Sequence, residues 1–66
     1  MTIQLNGQPL EIADDATVAD LLTVLGLDPR QCAVERNLEL APRTAHAKTQ
    51  LAPGDRVEIV TLVGGG

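Results

Sequence analysis

Four places in this 66-residue chain carry residue types able to do chemistry: Cys32, His46, the pair Asp14-Asp15 and the run Gly64-Gly65-Gly66. A cysteine nucleophile needs a base within hydrogen-bond reach, and the base needs an orienting group. Cys32 and His46 are the only thiol and the only imidazole, and no spacing brings them together. Cys32 stands on the apolar side of a segment that reads as a strand, so it is expected to be a small buried hydrophobe. His46 lies in the polar stretch RTAHAKTQ and is expected to be a solvated surface residue. One Cys and one His far apart do not make a zinc site. Asp14-Asp15 precedes a helical segment, where a turn and two charges favourable to the helix dipole are the expected roles.

The glycines are different. They cannot form a phosphate loop, because no helix follows to supply its N-terminus. Glycine loses the most entropy on ordering, so Gly64, Gly65 and Gly66 are expected to form a flexible tail. From Val63 to Gly66 an extended tail reaches about 13–14 Å, far enough to enter another protein's active site. The Gly66 carboxylate is a poor electrophile until its oxygen becomes a good leaving group, and adenylation by ATP achieves that. With no Cβ, Gly64 and Gly65 can thread a narrow channel. The expected handle is therefore the carboxylate of Gly66, on a carrier rather than in a catalytic cleft.

Composition removes competing functions. Five Lys+Arg against nine Asp+Glu leave a net charge of −4, a sign that repels nucleic acid and anionic membranes. With no Phe, Trp or Tyr there is no platform for stacking bases. A single cysteine cannot form an internal disulfide. The start MTIQLNGQPL lacks the basic flank and apolar run of a signal peptide. No apolar stretch approaches the roughly 20 residues that span a bilayer. The expectation is one soluble, cytoplasmic domain over residues 1–66, too small for a second domain or a deep cleft.

The elements that must position the tail follow from periodicity. Thr2 to Asn6 alternates, with Ile3 and Leu5 on one face. Asn6-Gly7 is a type I′ hairpin signal, and Leu10 and Ile12 continue the alternation after Pro9, which suits an edge strand. Thr17 to Asp20 reads as a capping box with Asp in place of Glu. Val18, Leu21, Leu22 and Leu25 form one helical stripe, and Gly26 fits the left-handed C-terminal position. Cys32 to Arg36 and Leu38 to Ala41 read as short strands around Asn37. Arg43 to Gln50 is expected to be irregular, with one short helical turn. Arg56 to Val63 reads as a long central strand parallel to the first. The order β-β-α-β-β-β, with one main helix on one face of a mixed sheet, is an α+β β-grasp arrangement.

Strand parity divides the last strand. Val57 and Ile59 are placed against the helix stripe; Val60 and Leu62 then lie on the open face beside the tail. An apolar pair with no internal cover marks a contact site, so Val60, Leu62 and Val63 are the expected partner-docking residues.

The chain resembles the ThiS family, sulfur carriers of thiamine biosynthesis within the ubiquitin-like β-grasp superfamily. The likeness spans nearly the whole chain: Ile3-Gln4-Leu5-Asn6-Gly7, Thr17-Val18-Ala19-Asp20-Leu21-Leu22, Val34-Glu35-Arg36-Asn37, Pro42-Arg43, and Gly54-Asp55-Arg56-Val57-Glu58-Ile59-Val60 running into the glycines. Two departures stand out: Leu38 where many relatives have Gly, and Ala45-His46-Ala47 where many carry an aromatic. The resemblance implies a protein co-substrate, not an enzyme, with no bound cofactor. An E1-like adenylyltransferase would use Mg-ATP to adenylate Gly66. A cysteine desulfurase or rhodanese-type donor would supply persulfide sulfur indirectly, and thiazole synthase would take it from the Gly66 thiocarboxylate. Alternatives are a molybdopterin-synthase small subunit, with the same handle, a β-grasp interaction module with merely frayed glycines, and a thiol enzyme built on Cys32.

Overall fold

The computed structural model describes residues 1–62; the expectations for Val63, Gly64, Gly65 and Gly66 lie outside the described residues. Strands β1 (Thr2–Leu5) and β2 (Gln8–Glu11) pair antiparallel, with Ile3 opposite Leu10. Between them Asn6 and Gly7 take φ of 49° and 81°, the two positive values a type I′ turn demands. β2 lies at the sheet edge, where Pro9 has no ladder N–H to withhold.

Helix α1 spans Val18–Leu25. The Asp20 N–H donates to the Thr17 hydroxyl (3.1 Å) and the Thr17 N–H to the Asp20 carboxylate (2.9 Å), so aspartate does close the capping box. At the other end Gly26 has φ 70°, and the Leu27 N–H reaches back to the Leu22 carbonyl at 2.9 Å, a Schellman stop. Val18, Leu21 and Leu22 are buried against the sheet, and Leu25 is half-buried.

A 3-10 turn, Pro29–Gln31, leads into β3 (Cys32–Arg36), which pairs antiparallel with β4 (Glu39–Ala41). The fourth strand begins one residue later than expected. Asn37 and Leu38 have φ of 53° and 71°, so Leu38 belongs to a second two-residue hairpin turn. β5 (Arg56–Thr61) sits centrally, in the order β2-β1-β5-β3-β4, parallel to β1 and antiparallel to β3. The mixed five-stranded sheet with one main helix is the expected β-grasp architecture.

The stretch expected to be irregular is more ordered than that. Arg43–Lys48 forms a 3-10 helix packed against α1. Behind it the Val18 N–H bonds the Thr49 carbonyl and the Leu51 N–H the Ala16 carbonyl, both at 2.9 Å, which draws Leu51 into the core. His46 is not the solvated residue the sequence suggests. The 3-10 turn faces it inward, leaving it 5% exposed, with Nε2 2.9 Å from the Ala41 carbonyl. Nε2 therefore carries the proton and ties the turn to the end of β4.

Candidate functional site

β5 has two faces with opposite fates. Val57 and Ile59 are buried among Ile3, Val18, Leu21 and Val34, as parity requires. On the other face Val60 is 61% exposed, and Leu62, just past the strand, is 60% exposed. Val60 stands opposite Ala33. Leu40 of β4, opposite Glu35, is a further exposed apolar residue on the same face. Thus the structure leaves the expected pair uncovered and adds Leu40, which the sequence places in a short strand but whose face only the β3–β4 register reveals. Val63, the third expected docking residue, lies outside the described residues.

The entry to β5 is built differently. Gly54, at φ 82°, turns the chain, and Asp55 follows with only 7% of its surface exposed. Its carboxylate accepts from Arg36 Nε (2.8 Å), Asn37 Nδ2 (3.1 Å) and the Ala52 N–H (2.8 Å). Burial pushes the Asp55 carboxyl up, but these three donors outweigh it and hold the group below the usual carboxylate range. Asn37 completes the latch by accepting from the Arg56 N–H at 2.9 Å. The Gly-Asp-Arg-Val segment, which carries part of the family likeness and opens the strand read from Arg56, thus has a physical role: it anchors β5 at its entry.

The remaining reactive groups are not brought together. Cys32 is buried opposite Thr61, and its thiol donates to the Asp28 carbonyl at 3.5 Å. Burial, and then the Asp28 charge, push its thiol up, away from the thiolate a nucleophile needs. His46 is committed to Ala41. Asp14 lies in a turn and accepts from the Met1 amine at 2.8 Å. Among the described residues no group of three His, Cys, Asp or Glu side chains could hold a metal ion. No helix among them is long and apolar enough to cross a membrane.

Comparison with known proteins places this arrangement. A family model described as the ThiS family matches residues 3–66. The chain is 42% identical over 66 residues to a thiazole synthase of Paramagnetospirillum magneticum, covering all of this chain but only 20% of that protein. A sulfur carrier protein ThiS of Bacillus subtilis is 37% identical over 65 residues, covering 97% of this chain and 98% of that one. Among solved structures, the thiamine biosynthesis protein ThiS of Geobacter metallireducens superposes with a TM-score of 0.85 at 33% identity, covering both chains fully. The chain belongs to the ThiS family of sulfur carriers in thiamine biosynthesis, with the ubiquitin-like fold.

Proposed function

We propose that this chain is a protein co-substrate that works in the cytoplasm and carries sulfur on the carboxylate of Gly66 to a thiazole synthase. An E1-like adenylyltransferase joins the carboxylate to AMP, with pyrophosphate leaving from Mg-ATP. The terminal sulfur of a persulfide, supplied through a cysteine desulfurase or rhodanese-type protein, then attacks the acyl carbon, and AMP departs. A thiol cleaves the resulting S–S bond and is itself oxidised to a disulfide, which releases the thiocarboxylate. Thiazole synthase takes that sulfur, and Gly66 returns to a carboxylate.

The observation that carries this reading is the uncovered pair Val60 and Leu62 at the exit of the central strand, immediately before Val63 and the three glycines. A partner that covers the pair holds the sheet while Gly64 and Gly65 enter its active site. Exposed apolar area of this kind is where binding energy concentrates. The proposal requires an unblocked carboxylate on Gly66. The test is ATP–pyrophosphate exchange with the adenylyltransferase, comparing the full chain with one lacking Gly65 and Gly66. Exchange should occur with the first and vanish with the second. Equal exchange by both would refute the assignment of the handle.

A further inference from the structure

β1 stops pairing with β5 at the Leu5–Val57 register, yet β5 runs on to Thr61. The last main-chain bond between them is from the Asn6 N–H to the Val57 carbonyl, at 2.9 Å. Past that point the chain of β1 turns away through Asn6-Gly7, and a central strand loses its neighbour on one edge. The next main-chain groups of β5 facing that edge belong to Ile59. Both are met by one side chain. The Ile59 N–H donates to Asn6 Oδ1 at 2.9 Å, and Asn6 Nδ2 donates to the Ile59 carbonyl at 3.3 Å. The carboxamide stands in for one more residue of β1. On the opposite edge the Leu62 N–H donates to the Gln31 carbonyl at 2.7 Å, one residue beyond the Cys32–Thr61 pair that ends the β3 register.

Asn6 therefore meets two demands at once. Its backbone must hold φ 49° for the turn, which asparagine tolerates. Its side chain must offer a donor and an acceptor together, which a carboxamide does and a carboxylate or a glycine does not. The turn alone would accept glycine. What glycine would lose is the hold on Ile59, flanked by the docking side of the strand and followed by the residues that reach the partner.

We propose that Asn6 is a positioning residue for the carrier reaction: its amide clamps β5 at Ile59 and so fixes the direction in which the C-terminal residues leave the sheet. This rests on the carrier reading above. A reacting carboxylate misplaced by about 1 Å can cost up to about 100-fold in rate, so a clamp on the last ordered strand reaches the chemistry without touching it.

Two variants separate the clamp from the turn. Asn6→Gly keeps the left-handed turn and removes the amide. Asn6→Asp keeps the turn and the acceptor for the Ile59 N–H but loses the donor. Amide hydrogen exchange and steady-state pyrophosphate exchange are measured on both, well below the thermal midpoint. Asn6→Gly should lose about tenfold or more of the protection at Ile59, while the β1–β2 hairpin amides keep theirs. Its kcat should fall about 10- to 100-fold, with KM within about twofold of the parent, since the docking residues are unchanged. Asn6→Asp should recover part of both. Unchanged protection at Ile59 in Asn6→Gly would show there is no clamp. Wild-type kcat with protection lost would show that the clamp does not position the tail. Should the parent chain itself support no exchange, the carrier reading fails and the positioning role fails with it, even where the Ile59 protection behaves as described.

Discussion

The two ends of β5 are held by opposite means. At its entry a buried carboxylate, Asp55, gathers Arg36, Asn37 and the Ala52 N–H into one latch. At its exit Val60 and Leu62 stand mostly in solvent; the β3 ladder and the Gln31 carbonyl hold one edge of the strand, and the Asn6 amide holds the other, where β1 has turned away. The entry spends buried polar groups on fixing the fold, because a marginal core of this size cannot leave its central strand loose. The exit leaves apolar area unburied, which does nothing for folding and, under the proposed function, is what a partner covers. On that proposal one strand divides stability from recognition along its length, and substitutions at its two faces and two ends should separate the two effects.

The largest effect is expected on the buried face. Ile59→Asp places an unpaired charge in the core, at a cost above about 4 kcal/mol, comparable to the whole stability of a domain this small. Circular dichroism should show no folded state. Leu62→Asp, three residues on but exposed, should keep its denaturation midpoint within about 0.5 kcal/mol while adenylation weakens about tenfold or more. Wild-type adenylation by Leu62→Asp would dismiss the open face as the docking surface and collapse the contrast.

The latch comes next. Asp55→Ala leaves Arg36, Asn37 and the Ala52 N–H without their acceptor and should cost about 2–3 kcal/mol in urea denaturation. The same latch predicts a pH dependence. The folded carboxyl of Asp55 lies below its ordinary range, so the unfolded chain binds the proton more readily. Its stabilisation is complete above about pH 5 and is lost as pH falls through the folded value. Urea midpoints measured downward from pH 5 should therefore fall in the parent more steeply than in Asp55→Asn. Parallel profiles would remove the ionised latch from the account.

The smallest effect lies away from both ends. Leu38 is held at φ 71°, where a Cβ costs about 1–2 kcal/mol, and its side chain is 72% exposed. Leu38→Gly relieves that strain against about 0.5–1 kcal/mol of added unfolded-state entropy. A net gain of about 0.5–1 kcal/mol is expected by denaturation, with adenylation unchanged.

What the sequence made legible was whatever local pattern decides. The limits of α1 from Val18 to Leu25, its Thr17 and Gly26 stops, and the parity that buries Val57 and Ile59 but exposes Val60 all follow from spacing over a few residues. What escaped depends on distant partners. Asn6 and Ile59 lie 53 positions apart, and Arg36 and Asp55 lie 19 apart. His46 reads as polar surface because nothing in RTAHAKTQ announces that α1 will pack against its turn and that the Ala41 carbonyl will accept a hydrogen bond from its Nε2. Leu38 reads as a strand residue because leucine seldom takes the conformation that the two-residue turn imposes. On the exposed face of the sheet, parity anticipated that Val60 and Leu62 would be uncovered, while placing Leu40 beside them needed the observed β3–β4 register.

The central claim is that the work of this molecule is done at the carboxylate of Gly66, with the buried thiol of Cys32 as a bystander. Intact mass tests it most directly, after incubation with the adenylyltransferase, Mg-ATP and a persulfide source with its reducing thiol. The parent chain and Cys32→Ala should both gain the mass of one oxygen-for-sulfur exchange, and a chain lacking Gly65 and Gly66 should gain none. A folded Cys32→Ala chain that gains nothing, or a shortened chain that gains the same mass, would contradict the account.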